Sequence, residues 1–249
     1  MPEVSWSEVG WAPEAIEEKE TTLATAAYNK LINMFISLEI FPGSLLQERQ
    51  LAESLNMSRT PLREALTRLC HESWLTINSR RNIVVRPVNL TTVREVFEVR
   101  EMLELRGVDR VITDDAVHAS FVNLALVHDT MTNMHVNDFN YILVNQKFHA
   151  YLSTIDHNSL IFGLWKRMHL ENIRLAMLAL SSTPQRKKAV HNEHLAIIEM
   201  LLKRDREGAR RHLLAHLRTI RANLEKALGR SALLESQDRG QTQSDAADS

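Results

Sequence analysis

The sequence predicts a mainly α protein: an N-terminal winged helix-turn-helix followed by an all-α bundle of six helices. Three observations carry that prediction. Seven glycines and six prolines in 249 residues are too few for a loop-rich sandwich or a glycine-rich nucleotide fold. Apolar residues recur at helical spacing through most of the chain. The clear exception is "WLTINSRRNIVVRPV", where Leu75 and Ile77, then Ile83 and Val85, alternate across a basic tip as a two-stranded hairpin would.

Taken in order, residues 1–19 are acidic and aperiodic, with Trp6 and Trp11 as bulky anchors, and read as a flexible arm. Residues 20–88 form the winged helix-turn-helix. Beyond Thr21, "TLATAAYNKLINMFISLEI" carries a stripe through Tyr28, Leu31, Ile32, Phe35 and Ile36, and "FPGS" ends it. Two short helices follow in "QERQLAESLN" and "SRTPLREALTRLCHE", and the hairpin supplies the wing. Thr92 with Glu95 three residues later is a capping-box pattern that opens a new helix. Six helical stretches, 92–112, 114–134, 137–156, 158–181, 184–203 and 205–228, then build a domain over 92–229. Residues 230–249 turn small and polar and read as a disordered tail.

A hydrophobic fraction of 44% is enough for a real core, and a net charge of −1 excludes a uniformly basic nucleic-acid coat. It leaves room for a local basic reading surface, because phosphate contact depends on where charge sits. A single cysteine, Cys70, rules out an internal disulfide and fits a reducing, cytoplasmic setting. No apolar run reaches membrane-spanning length and the N-terminal stretch has no apolar signal core, so no membrane partner is expected.

In "LNMSRTPLREALTRL", Ser58 is placed to cap a helix and Pro61 falls in its first turn, where a missing N–H costs little. Leu62, Ala65, Leu66 and Leu69 make the buried stripe, which leaves Arg59, Thr60 and Arg63 facing outward at the helix start. Helix-turn-helix proteins set such residues against base edges, and arginine suits bidentate contact with guanine. Arg80 and Arg81 at the hairpin tip are placed to reach a phosphate or the minor groove.

Of eleven histidines, His71, His118, His128, His135, His157 and His169 sit at helix ends or on mixed faces. Three others share apolar stripes on three separate helices: His149 with Ile142 and Leu152, His194 with Val190, Ile197 and Leu201, and His216 with Leu213 and Ile220. Asn145 lies one turn before His149 on the same face. Bundles build metal sites from facing helices in this way, and a polar cluster without metal is the alternative. His191, in a first turn, and His212, in a row with Gly208, Thr219 and Asn223, are weaker ligand candidates.

"PGSLLQERQLAESLNMSRTPLREALTRLCHESWL" resembles the DNA-binding domain of the GntR transcriptional regulators, the likeness covering residues 28–88. "VREVFEVREMLELRGVDRV", with "KFH", "NEHLAII" and "HLLAHL", is similar to the FadR-type effector domain, or FCD domain; six helices rather than seven suggest the VanR-like branch. The resemblance implies a homodimeric repressor that leaves a palindromic double-stranded DNA operator when a small organic or aromatic acid binds. It places DNA contacts at Arg49, Arg59, Thr60, Pro61 and Arg63, beside Ser58, with the wing at 79–82. The family usually has glycine where this chain has Ser73 and Asn82; asparagine tolerates a left-handed backbone and serine less readily.

The same resemblance implies a divalent metal held by an aspartate and three histidines. His149, His194 and His216 match the histidines, and Asn145 stands at the aspartate position with a neutral amide. Such a donor set suits zinc, with nickel or manganese as alternatives, and leaves room for an effector carboxylate. Arg100, four residues before Glu104, falls where the family has an inward arginine able to clamp a carboxylate; Arg174 is a second, weaker effector candidate. A salt-bridged surface arginine is the plainer reading of Arg100. An activator of the same fold and a three-histidine metallohydrolase are the alternatives in function. Against the hydrolase, no glutamate stands out as a general base beside the triplet, Glu193 being the nearest, and an enzyme would not need residues 28–88.

Overall fold

The computed structural model describes residues 22–78, 82–132, 137–155 and 158–245. The arm at 1–19 and the wing tip at 79–81 lie outside them. The chain divides into two compact units: one takes in the residues up to Val88 together with His169–Met177, the other Asn89–Met168 and the chain from Leu178 onward.

In the first unit, α1 (Leu23–Ile36) starts at Thr22, whose side chain accepts from the Thr25 N–H, and buries Ala27, Leu31, Ile32, Phe35 and Ile36. Tyr28, expected in that stripe, is only half-buried; its hydroxyl donates to Glu72 and the Arg68 guanidinium lies 3.8 Å from its ring centroid. The chain turns back at Gly43, whose φ of 86° favours glycine and whose N–H donates to Val85 O (2.8 Å). A two-residue strand, β1 (Leu45–Leu46), leads into α2 (Glu48–Leu55), which closes on left-handed Asn56. Next come α3 (Arg59–His71), β2 (Leu75–Ile77) and β3 (Ile83–Val85). β3 lies in the middle of an antiparallel sheet of order β1-β3-β2. The hairpin is therefore part of a three-stranded sheet, whose first strand is too short to leave an alternation in the sequence.

The exit from α3 differs from expectation in an informative way. Ser73, the less tolerant of the two residues, takes a left-handed backbone, with φ of 60°. The Trp74 N–H donates to Leu69 O (2.9 Å) and the Ser73 N–H to Cys70 O (3.0 Å), the closure that usually follows a helix with a left-handed residue just past its end. Asn78 Oδ1 instead accepts the Asn82 N–H (3.0 Å) across the base of the wing.

The second unit is helical. α4 (Leu90–Thr113), α5 (Asp115–Thr132), α6 (Asp138–Thr154), α7 (Ser159–Ser182), α8 (Lys187–Leu202) and α9 (Arg206–Asp245) match the six expected stretches, with a 3-10 turn at Pro184–Arg186 before α8. The middle of α7 groups with the first unit. Three asparagines cap these helices: Asn89 accepts from Thr92 N, Asn137 from Asn140 N, and Asn158 from Leu160 N and Ile161 N. The cap of α4 is thus Asn89 rather than Thr92, because its Oδ1 takes the Thr92 N–H (2.8 Å) and hydroxyl (3.2 Å) and turns the chain helical three residues early. Helical backbone in α9 continues to Asp245, through residues expected as a disordered tail; Ala, Leu, Glu, Gln and Arg recur there with no proline to stop them.

α4 and α6 touch backbone to backbone at Gly107. A Cβ built there would lie 1.9 Å from Leu152 O, so only a glycine allows this approach. Gly107→Ala should destabilise the fold by about 3 kcal/mol, the upper end for overpacking, because a helix carbonyl cannot step aside. Urea unfolding would read this as a lower midpoint at unchanged slope.

Candidate DNA-reading surface and metal centre

The turn between α2 and α3 projects the start of α3 outward. Ser58, Arg59, Thr60 and Arg63 are exposed and Pro61 half-buried, while Leu62, Ala65, Leu66 and Leu69 are buried as their spacing requires. Ser58 occupies the cap position but its side chain makes no capping bond. Glu48, at the head of α2, holds both arginines: Arg63 Nε at 2.8 Å and Arg59 Nη2 at 3.6 Å. Arg49 pairs with Glu53 at 2.9 Å. Exposed pairs of this sort are worth about 0–1 kcal/mol, so a phosphate or guanine can take over these guanidinium groups at little cost. Arg80 and Arg81 lie outside the described residues.

In the second unit, α6, α8 and α9 bring His149, His194 and His216 together, buried, with ligand atoms all within 4.8 Å of one another. His194 Nε2 and His216 Nε2 are 3.2 Å apart. Each imidazole is held from behind through its Nδ1. His149 Nδ1 meets Glu104 Oε2 (2.7 Å), His216 Nδ1 meets Glu193 Oε2 (2.8 Å), and His194 Nδ1 meets His128 Nε2 (2.9 Å). A carboxylate behind an imidazole keeps the proton on Nδ1, which leaves the Nε2 lone pair of His149 and His216 for a ligand. Burial first, then the positive charge of Arg100 for His149, holds His149 and His194 well below the ordinary histidine range. Both are therefore neutral and able to ligate.

The two carboxylates are themselves tied. Glu104, fully buried, accepts from Arg100 Nε on its other oxygen (2.8 Å); burial raises its pKa and the Arg100 charge works against that rise. Glu193 also contacts Arg186. Burial works to raise its pKa, but the His216 hydrogen bond and the Arg186 charge leave it below the usual carboxylate range.

Asn145 tests whether a metal fits. Its Nδ2 donates to Tyr141 O one turn back (2.8 Å), and its Oδ1 is buried with no hydrogen-bond partner. An orphaned amide oxygen one turn before His149 is what a fourth ligand should look like, since a bound ion would satisfy it. Three imidazoles and this oxygen can hold a divalent metal.

Arg100 is buried, at 4% exposure, so it is not a surface ion pair; its Nη2 has no partner. Arg174 is not with the histidines' partners. It sits in the first unit, donating to both Glu171 oxygens (2.6 and 2.9 Å) and to Arg86 O (3.2 Å), 5.0 Å from the Trp74 ring centroid. His128, read as a mixed-face residue, is instead buried against His194; Phe121, Leu124 and Ala125, one and two turns earlier and all buried, were the available signal. His191 stacks on His128 with ring centroids 6.5 Å apart, and His212 is exposed as its row predicts. The partnership of Glu104 with His149 had no local signal, for the two are 45 residues apart.

Residues 23–85 match the family model described as bacterial regulatory proteins, gntR family, and residues 95–219 match that of the FCD domain. The chain is 28% identical over 201 residues to the uncharacterized HTH-type transcriptional regulator YdhC of Bacillus subtilis (strain 168), over 80% of this chain and 89% of that one. It is 25% identical over 186 residues to the HTH-type transcriptional repressor RspR of Escherichia coli (strain K12), over 73% and 79% respectively. A GntR transcriptional regulator from Rhodococcus sp. RHA1 superposes with a TM-score of 0.65 at 21% identity, over 83% of this chain and 99% of that one, which establishes a common fold.

Removing His194 should abolish metal retention, read by elemental analysis of the His194→Ala protein. Glu193→Gln should leave the fold intact and weaken metal binding about 10–100-fold in competition with a chromophoric chelator, the usual effect of losing a carboxylate behind a ligating imidazole.

Proposed function

Because the chain belongs to the gntR family of bacterial regulatory proteins, with an FCD domain after its reading head, we propose that it is a repressor relieved by a small organic or aromatic acid bound beside a divalent metal. The chain is a metabolite-responsive, DNA-binding transcriptional regulator and not an enzyme, as family and relatives are. The finer reading rests on one observation above all: the buried trio of His149, His194 and His216, with the unpartnered Asn145 Oδ1 one turn before His149 and Arg100 Nη2 unpartnered in the same domain.

In this reading His149, His194, His216 and Asn145 hold the ion, zinc by its affinity for imidazole, with nickel or manganese as alternatives. The ion supplies a Lewis-acidic docking point for a carboxylate. Arg100, held in place by Glu104, offers its Nη2 to the same carboxylate. Glu104 and Glu193 are engaged by Arg100 and His149 and by Arg186 and His216, so neither is free to take a proton from water as a hydrolase base would.

A homodimer would set two α3 helices on the halves of a palindromic operator, with Arg49, Arg59, Thr60 and Arg63 reading each half and Arg80 and Arg81 on the wing. The acid releases the operator to the extent that it prefers a placement of the two reading heads that the DNA does not, and the DNA weakens the acid by the same factor.

The test is a mobility-shift titration on DNA from upstream of the protein's own gene. Arg63→Ala should lower specific affinity by about 1–3 kcal/mol for each half-site with an unchanged dimer, and retained protection of the operator would remove α3 from the reading surface. Acids found by thermal shift should release the metal-loaded protein and leave the chelator-treated protein on the DNA.

A further inference from the structure

Two further buried side-chain atoms lack a partner, one on a residue a turn before Glu104 and one on a residue a turn before His149, and they differ in kind. Arg100 Nη2 is a donor and Gln146 Oε1 an acceptor. Both residues are 4% exposed. Gln146 lies three residues before His149 on α6 and Asn145 four, so both flank the same imidazole from one turn back. Arg100 is joined to that imidazole through Glu104, whose two oxygens take one each. The donor and the acceptor thus border one cluster, from α4 and from α6.

An ionised carboxylate has acceptors only. It can satisfy Arg100 and a metal, but it has nothing to give Gln146 Oε1. A plain aliphatic or aromatic acid seated there would leave that oxygen stripped of water and unpaired. Gln146 is also uncharged, which suits a neutral donor rather than an ammonium group, and the Arg100 guanidinium nearby works against a second cation.

We propose that Gln146 reads a neutral hydrogen-bond donor on the effector, so that the acid sensed by this domain carries a hydroxyl or amide N–H as well as its carboxylate. The assignment rests on the carboxylate-sensor reading above and narrows it, making Gln146 a specificity-determining residue. Sites built to pair a ligand hydroxyl reject the analogue without it far more strongly than apolar pockets reject a missing methylene.

The experiment compares matched acids on the metal-loaded protein by calorimetry: lactate with propionate, malate with succinate, and 4-hydroxybenzoate with benzoate. The wild-type chain should bind the hydroxylated member of at least one pair about tenfold or more tightly. Gln146→Met, close in volume but without the acceptor, should keep its metal by elemental analysis and lose that preference. Equal binding of both members by the wild type overturns the assignment, whether or not the variant folds. A preference that survives in a folded, metal-loaded Gln146→Met protein overturns it too. Should no acid bind the metal-loaded protein, the carboxylate-sensor reading itself falls and takes this inference with it.

Discussion

One carboxylate carries most of the organisation of the helical domain. Glu104 is fully buried on α4, with one oxygen on Arg100 of its own helix and the other on His149 of α6. A buried charge is tolerated only when it is paired and hydrogen-bonded, and here both conditions are met by groups that face the site. The pairing depends on how closely the helices pass. Gly107 lies one turn beyond Glu104 and meets the carbonyl of Leu152, one turn beyond His149, so the same close approach serves both contacts. Side-chain bulk at 107 would push α6 away and separate the carboxylate from the imidazole it orients.

The rest of the cluster repeats this logic with different partners. Glu193 stands behind His216 and is steadied by Arg186, while His194 leans on a fourth imidazole, His128. The centre is therefore backed by two carboxylates, each with its own arginine. Most of the negative charge near the site is already spoken for, and the Asn145 amide adds none. That arrangement favours anionic ligands, which agrees with the unpartnered nitrogen of Arg100.

What the sequence made legible followed from periodicity and spacing. Leu62, Ala65, Leu66 and Leu69 announced the inner face of α3, and the three clustered histidines announced themselves because each interrupts an otherwise apolar stripe. Features that depend on meetings between distant segments were not legible. β1 is two residues long and exists because β3 pairs with it. His128 and Glu104 acquire their roles from His194 and His149, 66 and 45 residues away. Local competition also misled: Thr92 fits a capping pattern, yet Asn89 captures its N–H first. Serine at 73 accepts a backbone that glycine would enter more easily, held by the hydrogen bonds closing α3.

The histidine trio joins three helices, and Glu104 and His128 add a fourth and a fifth, so opening any one of them dismantles the cluster. A bound ion or acid consequently opposes unfolding, by about 4 kcal/mol at a thousandfold excess over its Kd. Proteases act on the opened chain, so the loaded regulator outlives the bare one. If the proposed ion and acid bind there, the same cluster would also slow the regulator's turnover, a response separate from release of DNA.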